Sequence, residues 1–274
     1  MSDMFTQDFI FNALKVSVIM GLLLAYLGVH VVGRGIVFVD LALGQISMLG
    51  VAVANFIGKD VTLISIIFTM VGAFLLSFIK IKDKRLKQEA IIGIVYAFAS
   101  AATVLFISKS PHGESDISEV LFGSVFTVTT DQIVTMAVAF GIIGALHAIF
   151  RRNFFKLTEK FENHETEEIG VFNLWNFLFY LSIGLAIVIA VRVAGVIPVF
   201  SYLIIPPVTA ILLSKKKTAM VIIAILVAVA GSFFGLFFST HFDFPAGSSV
   251  VAILGAIFGL SAIVRWGMNL FASK

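Results

Sequence analysis

The chain has 274 residues, of which 59% are hydrophobic and only 13% charged, and its mean hydropathy is +1.08. Soluble domains carry about 25% charged residues, so a water-covered surface is excluded for most of this chain. The absence of cysteine excludes a disulfide framework and a thiolate metal centre. The net charge of +3 comes from basic residues gathered between apolar runs, which is a mark of membrane topology rather than of nucleic-acid binding.

Residues 1–8 contain Asp3 and Asp8 and no basic residue. They lack the positive region of a signal peptide, and the apolar run 9–32 is therefore expected to be a retained first span. The runs 63–80, 91–107, 133–150 and 220–238 are similarly long enough to cross about 30 Å of hydrocarbon as helices. Basic residues follow alternate spans: Arg34; then Lys80, Lys82, Lys84, Arg85 and Lys87; then Arg151, Arg152 and Lys156; then Lys215, Lys216 and Lys217; then Arg265 and Lys274. If these face the cytoplasm, the chain is an all-α, polytopic transmembrane bundle of about nine membrane segments. Its N-terminus is then outside and its C-terminus cytoplasmic, with residues 1–274 forming a single transmembrane domain.

A second span is expected over residues 35–54, with Asp40 about two turns into it. Helical spacing puts Gly44 and Ser47 on the face of Asp40 and turns Gln45 away from it. A charge inside a span is costly and marks a candidate pathway for a cation. Pairing with Arg34, or a place at the membrane interface, is the structural alternative.

Between Asp116 and Asp131 the sequence predicts a short external helix or re-entrant piece, with Thr130 or Asp131 capping the next helix. Residues 151–172 form the longest polar connection, expected to be a cytoplasmic loop. Its acidic centre is flanked by Phe161, Ile169, Val171 and Phe172, and by its physics alone it reads as a solvated loop.

Residues 193–214 hold Pro198, Pro206 and Pro207, which predict either a broken helix or a kinked one. Gly231/Gly235 and Gly255/Gly259 are GxxxG pairs of the kind that bring helices together. Arg192 and Lys15 read as snorkelling side chains and His147 as an interfacial residue. His241 and Asp243 fit a solvated turn, with a metal-entry role as the alternative.

The chain contains no GxxxxGK[ST], HExxH or GxSxG motif, and its five histidines are scattered over different segments. The reading that follows is solute transport without hydrolysis by this chain.

Several segments occur in an order that carries more weight than any one of them. They are the span containing Asp40 and ending Leu49-Gly50-Val51-Ala52, the run Glu89-Ala90-Ile91-Ile92-Gly93-Ile94-Val95-Tyr96, and Leu121-Phe122-Gly123-Ser124. Further on come Gly195-Val196-Ile197-Pro198 with Leu203-Ile204-Ile205-Pro206-Pro207-Val208-Thr209-Ala210, and Phe242-Asp243-Phe244-Pro245-Ala246-Gly247. Together they resemble the membrane-spanning permease subunits of bacterial ABC-type importers for zinc, manganese or iron.

The resemblance implies a multi-pass protein of the bacterial plasma membrane, working by alternating access. Its partners would be a second permease copy, identical or paralogous, an extracytoplasmic solute-binding protein, and a cytoplasmic ATP-binding subunit that consumes the ATP. The chain itself would bind no cofactor and no nucleic acid, and would be no enzyme. Glu165, Glu167, Glu168, Ile169 and Gly170 take the place of the segment that docks on the ATPase. Asp40 takes the place of a metal-binding carboxylate, and Gly44, Ser47 and Gln45 lie near it on the expected pathway. Family members commonly carry a histidine four residues after that aspartate, where this chain has Gly44. A secondary, ion-gradient-driven transporter and an ABC permease for a non-metal solute remain the alternatives.

Overall fold

In the lipid interior each backbone N–H and C=O must find its partner within the chain, which leaves helices as the economical way across. The computed structural model describes residues 8–79, 88–109, 125–163 and 173–272, and every regular element among them is helical. The ten α-helices are α1 (Asp8–Gly33), α2 (Val39–Ile57), α3 (Val61–Ser77), α4 (Gln88–Ile107), α5 (Thr130–Ile149), α6 (Arg151–Glu162), α7 (Leu174–Ala194), α8 (Val196–Leu213), α9 (Lys217–Phe242) and α10 (Ala246–Ala272). A single 3-10 turn covers Val125–Thr127. Eight of the helices are long and apolar enough to span a membrane, and α3, with 17 residues, is a shorter apolar helix. The expected coupling residues Glu165, Glu167, Glu168, Ile169 and Gly170, and the Leu121-Phe122-Gly123-Ser124 motif, lie outside the described residues.

The chain divides into two compact units. One comprises residues 1–32, 122–141 and 193–274, and the other residues 33–121 and 142–192. In the first, α8, α9 and α10 pack on one another. Gly231 and Gly235 of α9 allow this: a Cβ at Gly235 would stand 2.5 Å from Val250 Cα, and one at Gly231 would run into the Leu254 side chain. That GxxxG pair is a packing seam, as the sequence suggested. The Gly255/Gly259 pair differs, since no atom lies within 4 Å of where either Cβ would be.

The proline segment resolves into a helix. The break comes at Gly195, whose φ of 83° ends α7 and starts α8. Pro198 is the third residue of α8, where a backbone N–H has no intrahelical acceptor to lose. Pro206 and Pro207 lie inside the helix, and Pro207 frees the carbonyl of Leu203. Gly28 of α1 lies directly against that carbonyl: a Cβ there would overlap Leu203 O and come within 2.6 Å of Pro207 Cγ. A residue without a side chain thus lets a neighbouring backbone cover the freed group, the arrangement in which weak Cα–H···O contacts form. Nearby, the Tyr202 and Ser232 hydroxyls share a 2.5 Å hydrogen bond inside the same unit.

In the second unit α2 packs against both α3 and α4. The sequence treated residues 151–172 as a loop, but their first twelve form α6. The reason is periodicity: Phe154, Leu157 and Thr158 share a buried stripe, while Arg151, Arg152 and Lys156 stay exposed. The start of α5 also differs from expectation. Thr129 is the capping residue, its Oγ1 accepting from Gln132 N while Gln132 Oε1 accepts from Thr129 N, a reciprocal capping box.

The seam between α1 and α8 sets a measurable expectation. Gly28→Ala destabilises the detergent-solubilised protein by about 1–3 kcal/mol, the usual cost of overpacking. Gly255→Ala, with open space around it, leaves stability unchanged or raises it by up to about 1 kcal/mol through helix propensity. Thermal unfolding of the two variants side by side checks this, and equal behaviour would refute the Gly28 contact.

Candidate functional site

Asp40 sits lower in its helix than the sequence placed it. Gly35, with φ of 64°, turns the chain after Arg34, and Val39 N donates to Ile36 O, so α2 begins at Val39 rather than at residue 35. Asp40 is the second residue of α2, in its first turn, where the helix dipole favours a negative charge. Phe38 caps the helix without a side-chain hydrogen bond. The turn is anchored by Glu89 at the start of α4, whose Oε1 accepts from Val37 N at 3.1 Å.

The Asp40 side chain is 3% exposed, and its Oδ1 has no hydrogen-bond partner among the described residues. An ionisable oxygen left in that state costs more than a paired one, so it is a group with unused binding capacity. Gly44, Gln45 and Ser47 are buried as well. Because α2 runs unbroken through them, Asp40, Gly44 and Ser47 line up on one side, and Gln45 is rotated about 140° from Asp40. Among the described residues no group of three or more histidine, aspartate or glutamate side chains is placed to hold a metal ion.

Arg34, read from the sequence as a topology-setting charge or an ion-pair partner for Asp40, turns out to be buried at 6% exposure. Its guanidinium addresses other groups. Nε donates to Thr158 Oγ1 of α6 at 3.2 Å, and Nη1 donates to Asn176 Oδ1 of α7 at 3.1 Å. The guanidinium Cζ lies 3.7 Å from the ring centre of Phe179. Asn176 in turn donates from Nδ2 to the carbonyl of Ser77, the last residue of α3. Thr158 and Asn176 escaped the sequence reading because single polar residues on apolar stripes look like ordinary helix surface. An arginine between two glycines at the end of a span was the available signal.

The remaining candidates are placed as follows. His147 is fully buried and stacks on Phe154 at 3.9 Å, with the Phe179 ring at its edge. Arg192 does more than snorkel: it donates to Val61 O at 3.0 Å and to Ser65 Oγ, tying α7 to the N-terminal end of α3. Lys15 is exposed and lies over Phe11, in keeping with a snorkelling residue. His241 stacks on Phe237, and Asp243 ends α9 in the left-handed conformation, with Ser239 donating to the Phe244 carbonyl across the turn.

Comparison with known proteins fits this architecture. The manganese transport system membrane protein MntC of Listeria monocytogenes is 28% identical over 269 residues, covering 97% of this chain and 94% of the relative. The protein of the same name from Halalkalibacterium halodurans is 24% identical, covering 94% of this chain and 88% of its own length. Among solved structures, PsaBC from Streptococcus pneumoniae in complex with Fab shares the fold with a TM-score of 0.78 at 24% identity, covering 94% of this chain and 93% of that one. The ABC 3 transport family matches residues 6–265. With that match running over nearly its whole length, the chain belongs to the ABC 3 transport family and is a multi-pass membrane permease of a bacterial ABC transporter.

Proposed function

We propose that this permease carries a divalent metal ion inward, with manganese(II) as the first candidate and iron and zinc after it. The relatives support the metal class, two of them being named for manganese transport. The observation in this chain that carries the reading is the buried Asp40 carboxylate, with one oxygen unpartnered on a helix face shared with Gly44 and Ser47. A hard anionic oxygen suits manganese(II) and iron(II), and the imidazole that would favour zinc is replaced by Gly44. A lone carboxylate binds weakly, as passage requires, and hydration water or a second copy of the chain would complete the coordination.

In this reading residues 1–274 form one permease domain with its N-terminus outside. Two copies, identical or paralogous, frame the pathway by alternating access. An extracytoplasmic solute-binding protein delivers the ion, and a cytoplasmic ATP-binding subunit supplies the energy through the segment containing Glu165, Glu167, Glu168, Ile169 and Gly170. The chain itself binds no ATP.

Two expectations follow for Asp40. In vesicles carrying the permease with its ATP-binding subunit and solute-binding protein, Asp40→Ala lowers manganese(II) uptake by about tenfold or more, a loss of about 1.4 kcal/mol or more of favourable interaction. A panel of manganese(II), iron(II) and zinc(II) names the ion, and indifference of uptake to Asp40→Ala for all three would refute the reading. Separately, Asp40→Asn raises thermal stability by about 1 kcal/mol, because it removes a poorly satisfied buried acid that costs free energy whenever it ionises. A lower melting temperature would show that the carboxylate is satisfied in the folded protein.

A further inference from the structure

The buried cluster around Arg34 has no part in holding an ion, yet it joins two regions that a coupled transporter must connect. On one side is α6, which ends at Glu162, three residues before Glu165. On the other is the turn that leads from Arg34 into α2, six residues before Asp40. Between them are the Arg34 hydrogen bonds to Thr158 and Asn176 and the stacking on Phe179. The contact at this turn is close, since a Cβ at Gly33 would stand 2.7 Å from Glu162 Oε1 and 2.8 Å from Thr158 Cγ2.

We propose that Arg34 is a positioning residue that locks α6 to the start of α2, so that displacement of α6 by the ATPase is passed to the turn in front of Asp40. This inference rests on the transport reading above.

Three features favour a mechanical role over simple packing. The guanidinium places Nε on α6 and Nη1 on α7, with Cζ over the Phe179 ring, a geometry that fixes direction as well as distance. The partners are themselves held: Thr158 Oγ1 donates to Phe154 O at 3.0 Å, and Asn176 is fixed to the Ser77 carbonyl, so a shift in α6 is not absorbed by a rotating side chain. Beyond the lock, Gly35 supplies a hinge, with φ of 64° and nothing within 4 Å of its would-be Cβ, which lets the turn move without a clash. A buried arginine is costly to desolvate, and an apolar residue of similar size would usually pack at least as stably.

The test uses the whole complex in lipid vesicles, with the solute-binding protein and manganese(II) as probe, and reads manganese(II) imported per ATP hydrolysed. For Arg34→Gln the basal ATP hydrolysis stays within about threefold of wild type, while import per ATP falls about tenfold or more, in the range of ordinary coupling energies. Arg34→Lys restores part of the ratio by keeping the charge without the fork, and Thr158→Val lowers it by about threefold. A purely structural arginine would reduce the yield of assembled complex and leave import per ATP in the surviving complexes unchanged, and that result overturns the proposal. Should Arg34→Gln fail to assemble, Thr158→Val decides, and an unchanged ratio there counts against the lock. A wild-type complex that hydrolyses ATP but imports no manganese(II), iron(II) or zinc(II) removes the metal reading itself. An intact ratio in the variants, with normal wild-type import, removes only the role of Arg34.

Discussion

Hydrocarbon offers no hydrogen bonds, and most of this structure answers that constraint. Hydroxyls within the spans turn back on their own helices: Thr69 donates to Ser65 O, Thr103 to Ala99 O, Ser201 to Ile197 O and Thr209 to Ile205 O. The carbonyl freed by Pro207 is covered by the side-chain-free backbone at Gly28. With so many polar groups accounted for, the few left open become informative, and the buried Oδ1 of Asp40 is one of them.

Asp40 and Arg34 show two ways of keeping a charge out of water. Arg34 is tied by directional contacts to α6, α7 and the Phe179 ring, so its position is set by the tertiary structure around it. Asp40 sits in the first turn of α2, where the helix dipole offers partial compensation, while Oδ1 remains unengaged. Glu89, half-buried at the start of α4, spends one carboxylate oxygen on the Val37 amide and thereby fixes the turn between the two. One short turn thus runs from an engaged cation to an unengaged carboxylate oxygen, held between them by a carboxylate of α4. That division between holding and availability is the physical content of the candidate site.

Much of the fold could be read from the chain because span length and apolarity are local properties. The helices α1, α2, α3, α4, α5, α8 and α9 lie close to the apolar runs read from the chain, while α7 and α10 were covered only by the count of about nine segments. Local propensity alone misjudged the ends. Pro198, Pro206 and Pro207 left a broken and a kinked helix both open, and the helix proves continuous: the break belongs to Gly195, where a positive φ turns the chain, while the carbonyl freed by Pro207 is covered by a neighbour. Residues 151–162 looked like a loop because charge dominates their composition, although Phe154, Leu157 and Thr158 already carried the period of a helix with one buried side. Asp40 was placed too deep because Gly35 delays the start of α2.

By itself the sequence determined the class of protein, the positions of the apolar helices and the singling out of Asp40, because each depends on residues close together along the chain. The family match then follows from motifs arranged in order. Only the tertiary structure decided which charges are spent and which are spare. Arg34 meets Thr158 and Asn176 across 124 and 142 residues of sequence, and Gly28 meets Leu203 across a still longer stretch. Hydrogen-bond satisfaction is a property of neighbours in space, and no spacing along the chain announces it.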